Sequence, residues 1–455
     1  MTDQDQGQLN RRDFLRGGSA ATLMMMMGGI PLQGAESASG ETHYKGETPP
    51  LNVGVIGCGT WGREILKTLS GIKFGPVVAV CDTYPAYLRR GGRLAPEAKK
   101  YADYRKLLED DKVQGVIVAT PTHQHKQVVL DALKAGKHVY CEAPLASTVD
   151  DAREIAEAAK NALEVNFQAG LQNRADKQIV NLEQFIRSGT LGKTLKCRAQ
   201  YHQKTSWRRT SPNPEREKEI NWRLRRSESL GLVGELGIHQ VDVSNWYMRK
   251  LPKAIHGYGS LLQWQDGRDV PDNVVAVLEY PDGTFLVYES TIANSYNAIK
   301  QIFFGSNCAI LMRDRRAWMF KEADAPLLGW EVYAKRDTFY TETGVVLGAG
   351  STKQAEREKV GASAGVIDPT SALQYSLQNF LINSYNHGAA VADFKQMFEG
   401  ADRDALADYL KDLAKNRLPA AGYREGYQAT VSVIKANEAV LGNKRIDLDE
   451  TLFRI

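Results

Sequence analysis

The six residues Gly57-Cys58-Gly59-Thr60-Trp61-Gly62 constrain this chain more than any other segment, because they stand between an apolar run, Val53 to Ile56, and a stretch of helical spacing, Arg63 to Ser70. A G-x-G-x-x-G spacing in that setting has a physical reading. The first glycine permits a tight strand-to-helix turn, the second lets a pyrophosphate approach the backbone, and the third lets the helix pack on the strand. The helix N-terminus then faces the phosphates. A second apolar run, Val77 to Val80, ends in Cys81-Asp82, which places Asp82 25 residues after Gly57. A carboxylate there accepts hydrogen bonds from an adenosine ribose and repels a 2'-phosphate, so NAD is expected over NADP. Arg89 and Arg90, shortly beyond, are the residues that favour the phosphorylated form.

Further apolar runs at Val116 to Ala119 and Val139 to Cys141 alternate with helical stretches, the last being the alanine-rich Asp150 to Lys160. Buried strands alternating with amphipathic helices give a parallel sheet with crossovers. Beyond about residue 190 the texture changes to strand-like segments at 194–203, 254–264, 273–280, 285–292, 301–312 and 330–334. Pro281-Asp282-Gly283-Thr284 between two of them is a hairpin signal. A polar stretch, 344–365, reads as a loop, followed by a helix with Leu373, Leu377, Phe380 and Leu381 on one stripe and a final helix near 427–441. The expected fold is α/β: a doubly wound Rossmann domain, 51–175, and a C-terminal α+β domain, 176–455, with an open, mostly antiparallel sheet.

At the N-terminus, Asn10-Arg11-Arg12-Asp13-Phe14-Leu15-Arg16 precedes a short apolar stretch, Ala20 to Ile30. The pattern resembles a twin-arginine export signal, expected over 1–38 with a linker at 39–50, and it is too short to span a bilayer. It implies the twin-arginine machinery as a partner, a periplasmic or otherwise exported destination, and passage in the folded state with any cofactor inside. The five cysteines, Cys58, Cys81, Cys141, Cys197 and Cys308, are odd in number and not in paired spacing, so they read as free thiols. A net charge of +4 over 455 residues is too small for a nucleic-acid footprint. A small-molecule partner is favoured.

The segments Val118-Ala119-Thr120-Pro121-Thr122-His123-Gln124-His125 and Gly136-Lys137-His138-Val139-Tyr140-Cys141-Glu142-Ala143-Pro144, with Gln168 to Arg174, Trp222-Arg223 and Gly234 to Asp242, resemble the Gfo/Idh/MocA oxidoreductase family. The resemblance covers roughly residues 51 to 320. It implies a Rossmann domain joined to an open antiparallel sheet, NAD between them, and chemistry on sugars, cyclitols or their glycosides. The cofactor-lining set it implies is Gly57, Gly59, Thr60, Trp61, Gly62, Asp82, Thr120, Thr122, His125 and Glu142. The family's catalytic lysine falls on Ala143, which can neither hold a hydroxyl nor carry its proton. The remaining acid and histidine of the family fall on Glu235 and His239.

His239 is the expected base, since a neutral imidazole can take a hydroxyl proton as hydride leaves the same carbon. On one helix Glu235, four residues earlier, would share its face; at a helix start it would instead answer the dipole. Asp242 would orient His239 or line the sugar site. Arg174, Tyr201, Trp222 and Arg223 are candidates for hydroxyl contacts and ring stacking, and the cluster Arg223, Arg225 and Arg226 for a solvated face or loop or for an anionic substituent. His123 and His125, with no carboxylate or cysteine at ligand spacing, make no metal site. The leading expectation is an exported NAD-dependent dehydrogenase of a sugar or glycoside secondary hydroxyl. Two alternatives stand beside it: a redox-neutral, NAD-dependent glycoside hydrolase working by oxidation, elimination, hydration and reduction, and a non-catalytic sugar-binding protein that keeps NAD. The family commonly pairs its sheet faces, which implies a homodimer or homotetramer.

Overall fold

The structure is a computed structural model that describes residues 49–313, 315–329, 331, 336–339, 342–347, 370–398 and 402–455. The export pattern, most of the linker, residues 348–365 of the expected loop and most of the strand expected at 330–334 lie outside the described residues.

Six short strands, β1 (Val53–Ile56), β2 (Val77–Cys81), β3 (Lys99–Tyr101), β4 (Gly115–Val118), β5 (His138–Cys141) and β6 (Phe167–Ala169), alternate with helices. The helices are α1 (Thr60–Ser70), α2 (Pro85–Leu94), α3 (Tyr104–Leu108), α4 (His125–Lys134) and α5 (Val149–Asn161). All strand pairs are parallel and the order is β3-β2-β1-β4-β5-β6. β1, β4 and β5 are buried at every position, which is why these segments read as unbroken apolar runs rather than alternating ones. The order reverses between β1 and β4, so a crevice opens at their carboxyl ends, where such sheets bind ligands.

The chain then continues through α6 (Lys177–Phe185), β7 (Thr194–His202), α7 (Pro214–Ile220), α8 (Gly231–Glu235) and α9 (Ile238–Met248). The strands β8 (Ala254–Ser260), β9 (Asn273–Glu279), β10 (Phe285–Thr291), β11 (Ile299–Gly305), β12 (Cys308–Arg313), β13 (Arg316–Lys321), β14 (Arg336–Phe339) and β15 (Glu342–Leu347) follow. Helices α10 (Ala372–Met397), α11 (Arg403–Lys415) and α12 (Tyr423–Gly442) and strand β16 (Arg445–Asp447) close it. Among the described residues the second sheet has the order β14-β15-β13-β12-β11-β7-β10-β9-β8-β16. It is antiparallel except where β7 lies parallel to β10. Leu278, Leu286 and Tyr288 point to the covered face while Val277 and Val287 stay half-exposed. That is the period-two signature of a sheet with one face packed.

The hairpin at Pro281-Asp282-Gly283-Thr284 forms, with Gly283 at φ +86 and Tyr280 N–H donating to Thr284 O at 2.9 Å. The expected single strand at 301–312 is instead a β11–β12 hairpin turning at Ser306-Asn307. Gly305 is required next to that turn because a Cβ would stand 2.0 Å from Leu191 O. Residues 344–347, expected in a loop, belong to β15.

The larger departure concerns the domain boundary. The stripe of α10, Leu373, Leu377, Phe380 and Leu381, packs into the same core as Val53, Val55, Ile65, Leu69 and Tyr140. The helix therefore completes the Rossmann domain, although it follows the second sheet in sequence and was expected in the 176–455 domain. Gln168 Nε2 donates to Ser376 O at 2.9 Å and reinforces that seat. Helix α12 serves both domains, with Gly426 against Ala169 on one side and the Ala439–Val440 backbone against Gly257 on the other. Phe380, fully buried edge-on to Tyr140 at 5.6 Å, tests this assignment. Phe380→Ala is expected to destabilise the Rossmann domain by about 3–5 kcal/mol in urea unfolding and to weaken NAD binding. A change confined to the second sheet would contradict it.

Candidate functional site

The glycine turn is shaped by close approach. A Cβ on Gly62 would lie 1.8 Å from Gly57 O, Gly57 has φ +100, and nothing lies within 4 Å of the place a Cβ would take on Gly59. Gly57 and Gly62 thus let α1 close on β1, while Gly59 between them leaves the turn's open side clear. No side chain caps the first turn of α1, so Thr60 and Trp61 present backbone N–H groups where a pyrophosphate is favoured. Asp82, at the end of β2, accepts from Cys58 N–H at 2.8 Å through Oδ2 and from Tyr84 N–H at 2.7 Å through Oδ1. Burial pushes its carboxyl pKa up, against those two amides and the charges of Arg216 and Arg63.

At the other end of the crevice, three side-chain atoms are buried without a hydrogen-bond partner among the described residues: Thr120 Oγ1, His123 Nδ1 and Glu142 Oε1. Buried polar atoms seldom stay unpaired, and here three of them cluster on the loops after β4 and β5. They fit a polar ligand such as nicotinamide and its ribose. Glu142 is 7% exposed, and burial raises its pKa to about 7 against hydrogen bonds from the Trp61 indole and the Ala143 N–H. NAD would therefore be held by the turn Gly57–Gly62, Asp82, Thr120, Thr122 and Glu142. Trp61, 39% exposed, stands at the rim.

His125 is placed differently from expectation. Its ring is 1% exposed, with Nδ1 3.0 Å from Pro144 O and Nε2 3.0 Å from Thr120 O. It staples the loops after β4 and β5 from beneath, which corrects the cofactor-lining role expected of its side chain.

The second domain contributes Glu235 and His239. Glu235 ends α8 and His239 is the second residue of α9, with Leu236-Gly237 between them. They share no continuous helix, and Glu235 is not at a helix start, so both sequence expectations for this acid are corrected. Packing requires the glycine in this break, since a Cβ on Gly237 would meet Tyr288 Cζ at 2.5 Å. The Glu235 carboxylate is only 2% exposed. It accepts from Thr122 Oγ1 at 3.2 Å and from Leu230 N–H at 3.2 Å, and it faces Arg223 Nε at 3.7 Å. Burial raises its pKa, opposed first by Arg223. This carboxylate is thus a contact from the second domain onto the loop after β4.

Among the described residues nothing donates to or accepts from the His239 ring, and burial lowers its pKa to about 4. At neutral pH it is an uncharged imidazole with a lone pair to offer. Tyr201, half-buried on β7, likewise has a hydroxyl with no partner among the described residues, and burial raises its pKa. Asp242 and Arg174, by contrast, are engaged with each other. Arg174 Nε and Nη2 donate to both Asp242 oxygens at 2.9–3.2 Å, and Trp246 lies 5.0 Å from the guanidinium. Asp242 is 2% exposed, so the pair is a buried tie between the segment after β6 and α9. Trp222, 8% exposed, packs edge-on to His123 at 5.7 Å, and Arg223 covers it at 4.7 Å with Trp207 on its other side at 6.0 Å. Arg223 is thereby the exposed member of an aromatic cluster. Arg225 and Arg226 pair with Glu228 and Asp269 on the surface.

Two side chains that the sequence reading passed over stand at this crevice. Trp207 holds a left-handed backbone, φ 62, beside Arg223, and Arg216 reaches Asp82 at 3.7 Å. Pro214-Glu215-Arg216-Glu217-Lys218-Glu219 reads as a solvated charged helix, so nothing in its pattern pointed to a cofactor site.

Comparisons with known proteins bear on the fold and on the cofactor. Residues 51–170 match the model of an oxidoreductase family with an NAD-binding Rossmann fold, and residues 179–311 match the GFO/IDH/MocA C-terminal domain. The chain is 31% identical over 213 residues to inositol 2-dehydrogenase of Salmonella typhimurium, covering 46% of this chain and 57% of that protein. That alignment thus spans little more than half the relative's length. It is 24% identical over 372 residues to levoglucosan dehydrogenase of Pseudarthrobacter phenanthrenivorans, covering 72% and 93%. Among solved structures, levoglucosan dehydrogenase in complex with NADH and levoglucosan superposes with a TM-score of 0.62 at 18% identity, over 88% of this chain and 100% of that one.

The Arg174–Asp242 pair separates a structural from a substrate-binding role. Asp242→Asn leaves a guanidinium unpaired in the interior and is expected to reduce stability by about 3–5 kcal/mol, read by urea unfolding. A rise in KM at unchanged stability would instead place Asp242 against the substrate.

Proposed function

Because the chain belongs to the Gfo/Idh/MocA oxidoreductase family, we propose that it is an exported NAD-dependent oxidoreductase acting on a secondary hydroxyl of a sugar or glycoside, with its nicotinamide retained in the site. The observation that carries the reading is His239, an uncharged, unengaged imidazole on the helix that follows Glu235. NAD, when bound, takes the hydride from the carbon that bears the hydroxyl. The chain's own part is to place that hydroxyl and remove its proton. With Ala143 unable to carry a proton, a ring nitrogen of His239 accepts it, while Glu235 holds Thr122 and so fixes the loop after β4. Tyr201 and Arg223 are the polar groups left to meet the sugar's other hydroxyls.

The twin-arginine pattern at Asn10–Arg16 supports an exported destination. Outside the cytoplasm, free nicotinamide is scarce, so a second substrate must return the oxidised or reduced cofactor to its starting state. A homo-oligomer is supported by the outward residues of the second sheet, where Val275, Val277, Val287, Ile302 and Phe304 form a half-exposed apolar surface.

The test is incubation of NAD-loaded protein with a panel of sugars and glycosides, following NADH absorbance, keto product and released sugar. A keto product formed in step with a supplied hydride acceptor is expected, whereas sugar release without lasting NADH would assign the redox-neutral hydrolysis instead. His239→Ala is expected to lower kcat by about 10²- to 10⁴-fold. Because burial depresses the His239 pKa to about 4, the base form persists down to that pH. In the kcat/KM profile the acid limb belonging to His239 should therefore lie near 4, separate from any titration of Glu142 near 7; an acid limb at 6.5 that persists in Glu142→Gln would exclude His239 as a base of lowered pKa.

A further inference from the structure

The strands and glycine turn of a Rossmann domain leave the adenosine end of their ligand near the surface, by the loop after β2. Here the second domain sends a segment back to that loop. Residues 203–221 leave β7, carry α7, and return by Asn221. The segment is fastened internally. Asn221 accepts from Arg209 N–H at 2.8 Å through Oδ1 and donates to Arg209 O at 2.7 Å and Glu217 O at 2.8 Å. Glu217 accepts from Arg208 at 2.9 Å and from Ser211 N–H at 3.1 Å. It is also fastened to the second domain, through Thr205 N–H to Ile292 O at 3.0 Å, Arg208 to Asp266 O at 2.8 Å, and the Arg268 guanidinium to Ser206 O.

What this framework presents to the Rossmann domain is Arg216. Its N–H is held by the Asn213 side chain at 2.9 Å. Its guanidinium lies 4.4 Å from the Tyr84 ring centre and 5.9 Å from that of Tyr87, with Nη2 3.7 Å from Asp82 Oδ1 and Nη1 2.5 Å from Glu219. The side chain is 18% exposed and its Nε is buried with no partner among the described residues. Arg63 and Arg90 flank Tyr87 from the Rossmann side, at 5.5 and 5.9 Å. A planar cation stacked on an aromatic ring, with an unused donor, beside the carboxylate suited to ribose hydroxyls, matches the chemistry of an adenosine diphosphate moiety, which offers a π face, hydroxyls and negative charge.

We propose that Arg216 is a cofactor-retaining residue: the 203–221 strap closes the adenosine end of the NAD site, the Arg216–Tyr84 stack caps it over Asp82, and NAD is held through successive turnovers instead of exchanging with solution. This rests on NAD binding by the Rossmann domain and not on the identity of the sugar.

The test is the exchange rate of bound NAD. Full-length protein is loaded with NAD, freed of excess by gel filtration, and chased with labelled NAD in the absence of any sugar, so its result is independent of whether sugars turn over. The wild type is expected to retain stoichiometric NAD through filtration, and Arg216→Ala to exchange at least tenfold faster at an unchanged melting temperature of the NAD-free form. If that variant melts lower, Arg216→Lys, which keeps the charge and loses the planar stack, decides by the same criterion. Exchange within twofold of wild type in the variant that decides would overturn the proposal, as would wild-type protein that loses its NAD on filtration. A variant that binds NAD unchanged and loses only NADP would also overturn it, by making Arg216 a 2'-phosphate receptor.

Discussion

One carboxylate organises the cofactor end of this protein. Asp82 takes a backbone N–H from the glycine turn and another from the start of the loop after β2, so the turn, the strand end and the following helix are fixed by a single side chain. Hydrogen bonds to an ionised acceptor are among the stronger ones available, and these two oppose the penalty of burying the charge. The same carboxylate faces Arg216 from the second domain. The two domains therefore meet around an acid whose position was set by the strand order before any ligand arrives.

The Rossmann half was largely legible in the sequence because its signals are local. A buried parallel strand is an apolar run, and the turn that follows needs glycine where another chain atom would collide, as Gly62 shows against Gly57 O. What escaped was set by packing between distant segments. Nothing in the stripe of α10 says which sheet it will cover, and only the fold shows it filling the core around Tyr140. The β11–β12 turn was hidden because Phe304-Gly305-Ser306-Asn307 is short and its flanks are apolar on both sides. The site divides in the same way. The glycine turn and Asp82 were readable from spacing, while the fates of His125, Asp242 and Glu235 depended on partners far along the chain.

The substrate end is governed by desolvation more than by charge pairing. Burial raises the pKa of Glu142 and Glu235 and lowers that of His239, moving all three toward their neutral forms. In such a setting alanine at 143, where the family resemblance implies a lysine, leaves no cation beside the Glu142 carboxyl. In the function proposed above, an uncharged imidazole would take the hydroxyl proton without that cation's help and would become charged only as the reaction advances.

Helix α12 belongs to both domains at once. Its glycine at 426 lies against Ala169 and Leu145 of the Rossmann domain, and its end lies against Gly257 of the second sheet at a distance that only a missing side chain permits. A rod seated in two sockets resists rotation of one socket about the other. Opening of the crevice by a wide hinge would have to shear this helix from one of its seats, so the packing opposes such a hinge. Were the proposed strap to control what enters and leaves the crevice, the residence time of anything inside would become a property of a few side chains.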